Sequence, residues 1–342
     1  MCGSRQSSLM PSENLISVLM PVYNGSAYIK EAITSILDQD AEFELVVADD
    51  CSTDDTCEIV NSFNDPRIKL IRNNRNLGIF GNLNSCIAEA KGKFLQVFSQ
   101  DDLMFPGYLQ SQRDFLTSHP EAALVYGRPN AVPEPRVNPE VTTDCVDKTP
   151  EIIHWPLYLW ISSHYGALPA SISSIMFLRK VVEMEGGFDS SFQVAGDVEF
   201  YHRVGRHFAL GHNKEARHYV RTHSGMKTVQ EGTGALYLEE ERRLHEWLAP
   251  VLSAREQKLI GRFRAQTRGV FHLSWICRAF KNGKVKESLK NLHRFHKLYP
   301  LHWAIYGNAR HILGGGAPAR PYLAPPANVP ITDFPVVQGR PS

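Results

Sequence analysis

Cysteine is scarce: six in 342 residues. Cys2, Cys51, Cys57, Cys86, Cys145 and Cys277 include no C-x-x-C pair, which excludes the usual zinc and dithiol motifs, and a chain of this size needs no disulfide staples. They are read as free thiols in a reducing compartment. No apolar run approaches the ~18 residues of a membrane span, and Met1–Asn14 lacks the apolar core of a secretory signal. A cytoplasmic protein is expected, at most peripheral on the inner face of a membrane. There is no G-x-G-x-x-G and no G-x-x-x-x-G-K-[ST], so a dinucleotide turn and a P-loop are both excluded. His202, His207, His212, His218 and His223 never take the H-x-x-x-H spacing of a helical zinc site.

The net charge of +1 conceals an asymmetry. Residues 1–254 carry −11 and residues 255–342 carry +12, which suggests two regions with different partners. No nucleic-acid-binding motif accompanies the basic part.

The first half alternates short apolar runs with amphipathic ones. Ile16–Met20, Glu44–Ala48, Ile68–Ile71 and Phe94–Phe98 read as strands. Pro21 is expected to stop the first. Ile29, Ile33, Ile36 and Leu37 lie on one helical face, with Ser26 as the expected cap, and Thr53 or Asp54 is expected to cap the next helix. A third helix is expected over about 80–90 and a fourth over about 108–119. Strand–helix alternation of this kind predicts a mostly parallel α/β sheet flanked by helices.

Two of these strands end in paired acids, Asp49-Asp50 and Asp101-Asp102. One Asp-Asp pair alone reads as a solvated turn. Two on one edge of a sheet suggest a site at the strand carboxyl ends. Adjacent carboxylates repel unless a cation sits between them and another anion, and Mg²⁺ or Mn²⁺ suits carboxylate and phosphate oxygens.

Pro21-Val22-Tyr23-Asn24, the run Val46–Thr56, Asn76-Leu77-Gly78 and Ser99-Gln100-Asp101-Asp102 follow in order. As a set they resemble the nucleotide-binding half of the family 2 glycosyltransferases, which have the GT-A fold. The resemblance extends over about 15–225 through Gly186-Gly187-Phe188-Asp189 and Gly196-Asp197. It implies an inverting enzyme that moves a sugar from a UDP- or dTDP-sugar to a glycan or lipid-linked hydroxyl, in cell-surface polysaccharide or lipopolysaccharide synthesis. It implies roles too. Pro21 and Tyr23 line the base pocket, Asp50 accepts the base N–H, and Gly78, Asn84 and Asp101 lie near the nucleotide. Asp102 ligates Mg²⁺ or Mn²⁺, His223 or Arg221 meets metal or phosphate, and Asp197 is the general base. The chain departs from the family pattern at Cys51, where Gly is usual, at Gln100, where many members have an acid, and at Gly196, where Glu is usual.

Domain boundaries follow: a disordered 1–14, a glycosyltransferase domain over 15–230, a basic helical extension over 231–313 and a Gly/Pro-rich disordered tail over 314–342. The prolines of 128–150 read as a loop. Trp155, Tyr158, Trp160 and Tyr165 could stack on sugars or form a packed lid. Asn282-Gly283 joins two helices whose basic face, within 255–310, could dock on anionic lipid or pack as a solvated face. A catalytically inactive nucleotide-sugar-binding module is the alternative. A nucleotidyltransferase would need a basic, Gly-rich turn after the first strand, which Pro21–Gly25 does not supply.

Overall fold

The computed structural model describes residues 13–133, 151–155, 158, 171–223, 233–248, 254–266 and 268–305. The expectations for nearly all of 1–14, for 134–150, for Trp160 and Tyr165 and for the 314–342 tail lie outside them. The described residues fall into two compact units, one within Met1–His154 and Pro169–His223, the other within Trp155–Leu168 and Ser224–Ser342.

In the first unit β1 (Ile16–Val22), α1 (Ile29–Leu37), β2 (Phe43–Asp49), α2 (Thr56–Ser62), β3 (Ile68–Arg72), α3 (Gly78–Glu89) and β4 (Phe94–Val97) alternate as the pattern predicts. β1 lies between β2 and β4, with β3 beyond β2, all parallel. Val18, Leu19, Met20, Val46, Val47 and Leu95 are fully buried. Consecutive strand residues are buried because both faces of the sheet are covered, so the strands read as continuous apolar runs. Ile29, Ile33 and Ile36 of α1 join Val18, Met20, Leu45 and Val47 in one core. The sheet continues from β4 through antiparallel β8 (Ile175–Leu178) to β6 (Ala122–Pro133), β9 (Ala209–Thr222) and the short β5 (Leu103–Met104), with β7 (Ile152–Ile153) beside β9. Helices α4 (Tyr108–Ser118), α5 (Arg179–Glu185) and α6 (Gly196–His207) complete the unit.

Three prolines correct the sequence reading. β1 runs through Pro21, which pairs with Ala48, and β6 runs through Pro129 and Pro133, which pair with β9. Each is tolerated for the same reason. β4 accompanies β1 only as far as Leu19, and β8 accompanies β6 only as far as Tyr126. Past those points each strand has one open side among the described residues, where a missing N–H costs no ladder bond. The caps also differ from expectation. α1 opens after Tyr28, while the Ser26 N–H donates to Asp54 Oδ2 at 3.0 Å. α2 opens after Asp55, and Asp54 instead accepts from the Thr56 N–H and hydroxyl.

The second unit contains α7 (Thr233–Leu248), α8 (Ala254–Gln266), α9 (Arg268–Lys281) and α10 (Val285–Leu298). Gly283, at φ +79°, turns α9 into α10 as Asn282-Gly283 predicts. Leu238, Ala265, Ile276, Phe295, Tyr299 and Ala304 form its core. The Tyr299 hydroxyl donates to Glu241, and the His272 ring stacks on Tyr299 at 5.9 Å. Tyr158 is buried, and its ring lies 6.1 Å from that of Trp155. Among the described residues Cys51, Cys57, Cys86 and Cys277 are free thiols, and no helix is long and apolar enough to cross a membrane.

Candidate active site

The carboxyl end of β2 is a knot of hydrogen bonds. Asp49 is fully buried, meets Arg72 Nε at 3.1 Å and accepts the Ser52 N–H. Asp50 accepts from Asn73 Nδ2 at 2.9 Å, the Leu77 N–H at 2.8 Å and the Gly78 N–H at 2.9 Å. A carboxylate accepts about four hydrogen bonds, so one lone-pair direction remains, on Oδ2. Cys51 follows at φ +66°, the left-handed region that favours glycine. Asn82 reaches from α3 under this knot, donating to the carbonyls of Ala48 and Val22 and accepting from Asn73.

The loop after β1 lies against the knot. The Asn24 N–H donates to Ser52 Oγ at 2.9 Å, and the Thr53 N–H donates back to Asn24 Oδ1 at 2.9 Å. Pro21 is partly buried and the Tyr23 ring is half exposed. On the other side, the loop after β4 meets the same turn. Gln100 Oε1 accepts the Tyr23 N–H at 3.0 Å, and Gln100 Nε2 donates to the Tyr23 carbonyl at 3.2 Å.

Asp101 and Asp102 have different surroundings. Asp101 pairs with His223 Nε2 at 2.9 Å, and the His223 ring packs 4.6 Å from that of Tyr28. Arg221 lies over the Tyr28 ring, its Cζ 4.7 Å from the ring centroid, and pairs with Glu31. Asp102 is buried and accepts the Arg221 backbone N–H at 3.1 Å. Burial, and then the charge of Asp101, push the Asp102 carboxyl up to about 7, although hydrogen bonds from Ser173 and Arg221 favour its ionised form.

Asp197 occupies the first turn of α6, where the helix dipole favours an acid, and its Oδ1 accepts the Val198 N–H at 2.8 Å. A Cβ on Gly196 would lie 2.8 Å from two Phe80 ring carbons. Phe80 therefore fills the space that a side chain before Asp197 would need. It also carries α6 to the first turn of α3, the helix whose opening N–H groups bind Asp50. Asn84, further along α3, holds Phe188 by both its backbone groups, donating to its carbonyl at 2.8 Å and accepting its N–H at 2.9 Å.

Residues 17–182 match the family model described as glycosyl transferase family 2. The chain carries a family 2 glycosyltransferase domain. Several relatives share it. An uncharacterised Mycobacterium tuberculosis protein is 32% identical over 206 residues, 58% of this chain and 64% of its own length. The Escherichia coli enzyme WfgD, a UDP-Glc:α-D-GlcNAc-diphosphoundecaprenol β-1,3-glucosyltransferase, is 35% identical over 33% of this chain and 45% of its own length. The alignments thus span only part of these relatives. A crystal structure of residues 1–349 of Staphylococcus aureus TarS with UDP-GlcNAc superimposes with a TM-score of 0.58 at 18% identity, covering 87% of this chain and 92% of that one. The family 2 domain accordingly has the GT-A fold, an α/β sheet flanked by helices, with helices following at the C-terminal end.

Within the family 2 domain, hydrogen bonds join the β1, β2 and β4 ends, the start of α3 and the end of β9. Asp50, Asp101, Asp102 and His223 belong to this connected set, with Pro21 near the end of β1, Tyr23 on the loop after it and Gly78 at the start of α3. Asp197 and Asn84 attach to it through α3. The donor chemistry suits Mg²⁺ or Mn²⁺: a carboxylate pushed up toward neutrality by burial, and then by the charge of its neighbour, would be relieved by a cation. Among the described residues no three His, Cys, Asp or Glu side chains form a ready cage. Mg²⁺ is commonly held by one or two carboxylates completed by substrate phosphates, and this site matches that pattern. Sequence reasoning passed over Asn73, Asn82, Ser173 and Tyr28. An asparagine inside the apolar period of a helix, as Asn82 is, was the available signal.

Proposed function

We propose that this protein is an inverting glycosyltransferase that takes a sugar from a UDP- or dTDP-sugar and places it on a hydroxyl of a glycan or lipid-linked acceptor in cell-surface polysaccharide synthesis. The observation that carries this reading is the hydrogen-bonded convergence of three strand ends on a buried acid pair. Relatives support the class: WfgD is named for transfer of glucose from UDP-Glc to a diphosphoundecaprenol-linked sugar, and the aligned TarS of Staphylococcus aureus is a poly(ribitol-phosphate) β-N-acetylglucosaminyltransferase.

Tyr23 and Pro21 flank the base, and the remaining acceptor direction of Asp50 takes the base N–H. Gly78 keeps its side of the pocket open. Asn84 acts on the site through the Gly187-Phe188 turn that it holds. Asp102, with Asp101 kept in place beside it by His223, would hold a Mg²⁺ or Mn²⁺ ion together with the diphosphate, and charge developing on the leaving diphosphate would be neutralised there. Asp197 removes the acceptor hydroxyl's proton as its oxygen attacks the anomeric carbon on the face opposite the diphosphate. A single displacement inverts that carbon and needs no covalent enzyme intermediate. Asp197→Asn should lower transfer by about 10²–10⁴-fold and leave UDP binding near that of the parent protein. Undiminished turnover would remove Asp197 as the base, and binding without any transfer in the parent protein would favour the inactive module.

The basic helical extension supplies a membrane contact in this reading. Phe280, Val285 and Leu289 are exposed around the α9–α10 turn. Lys286, Lys290 and Lys297 follow one another at i, i+4 and i+11 on α10, forming a basic stripe. An apolar ridge beside lysines matches an anionic lipid surface. The enzyme would then work at the inner face, beside a lipid-linked acceptor.

A further inference from the structure

Gln100 stands where many relatives of this family have an acid, and its surroundings require an amide. It meets both backbone groups of one residue, Tyr23, with the two ends of its side chain. Its oxygen takes the Tyr23 N–H and its nitrogen gives a proton to the Tyr23 carbonyl, at 3.0 and 3.2 Å. A carboxylate would keep the first bond and set an oxygen against the Tyr23 carbonyl in place of the second. The position of Gly25 fits the same requirement. A Cβ there would lie 2.3 Å from Gln100 Oε1 and 2.6 Å from its Cδ, so the absence of a side chain at 25 makes room for the amide. Gln100 immediately precedes Asp101-Asp102, and Tyr23 lies two residues past Pro21.

We propose that Gln100 is a positioning residue that fixes the base-binding turn to the acid-bearing loop, so that base and diphosphate are received at a set spacing. The inference rests on the nucleotide-sugar reading of the site. Gln100 touches neither base nor diphosphate in this role; it acts through the Tyr23 backbone. Asn84 treats Phe188 in the same way, so amide-to-backbone pairing recurs on two sides of the site.

Gln100→Met keeps the length and removes both bonds. It should weaken UDP binding in the presence of Mn²⁺ by about tenfold, as expected for two neutral hydrogen bonds, and raise the donor KM by a similar factor with kcat little changed. Gln100→Glu should weaken UDP binding comparably. If the only relevant property of the position were its charge, Gln100→Glu would instead tighten Mn²⁺ binding and leave UDP affinity unchanged, and that result would overturn the proposal. Gly25→Ala displaces the flexible end of Gln100 and should reproduce the loss. The double variant Gly25→Ala/Gln100→Met should be no worse than either single variant, because both remove one interaction. Hydrogen exchange gives a readout that needs no nucleotide: the Tyr23 amide should exchange faster in Gln100→Met, while amides of β1 and β2 keep their rates. Unaltered Tyr23 exchange and UDP affinity in variants that fold normally would refute the clamp. Failure of the parent protein to bind any nucleotide would refute the nucleotide-sugar reading instead, and the exchange experiment would still decide on the clamp.

Discussion

Asp102 and His218 pull stability in opposite directions as pH changes. The Asp102 carboxyl is pushed up to about 7 by burial and by Asp101, so the folded metal-free protein holds a proton there that the unfolded chain, near 3.8, releases earlier. That contribution is lost as pH rises from about 4 to 7. His218 is fully buried between Phe98 and Tyr108, and burial lowers it to about 4. The unfolded chain gains its proton near 6.5, so this contribution is lost as pH falls from about 6.5 to 4. In thermal melts of metal-free protein, Asp102→Asn should remove the decline toward neutral pH, and His218→Phe should remove part of the decline toward acid. An unchanged profile in either variant would contradict that assignment. Cys51 is a second case. Its left-handed backbone costs an ordinary residue about 1 kcal/mol, partly offset by the greater chain entropy of glycine. Cys51→Gly should leave the midpoint equal or raise it by about 1–3 °C. The paired acids were legible in sequence because two of them end strands at matching points in the alternation. Asn73 and Asn82 were not, because their partners include backbone carbonyls and a carboxylate up to 60 positions away.

At the scale of elements, the parallel half of the sheet follows directly from apolar runs and helical spacing. What misled the reading was proline. Pro21, Pro129 and Pro133 break a strand only where both neighbours are present, and strand order, which decides that, is a long-range property. Helix packing gives a sharper test. Phe80 on α3 presses against Gly196 at the start of α6. Gly196→Glu, which restores the family's usual residue, should destabilise the protein by about 1–3 kcal/mol through overpacking. Gly196→Glu/Phe80→Ala should recover part of that loss, as denaturant titration would show. The α9–α10 turn makes its own prediction. Replacing Lys286 and Lys290 by Gln in the full chain should weaken co-sedimentation with phosphatidylglycerol vesicles by about thirtyfold, at roughly 1 kcal/mol for each lysine. Equal sedimentation would remove α10 from the contact.

The whole molecule divides its charge as it divides its fold. The acids gathered at the strand ends belong to the excess of negative charge before residue 255, while the residues after 254 hold an excess of positive charge. That division was visible in composition alone. The unit boundaries were not, because Trp155–Leu168 groups with the helices although it lies between strands of the sheet in sequence.

The opening of α3 carries a consequence for how a polyanion is received. Free N–H groups at the start of a helix are a natural seat for phosphate, and here Leu77 and Gly78 already give theirs to Asp50. The protein has filled its own anion cradle with an internal carboxylate. In the proposed function a diphosphate would thereby be turned away from α3 and toward the acids after β4, where a cation would reconcile like charges. Glycine-rich phosphate loops would be unnecessary in such an arrangement, and a divalent ion would become the ligand's point of entry.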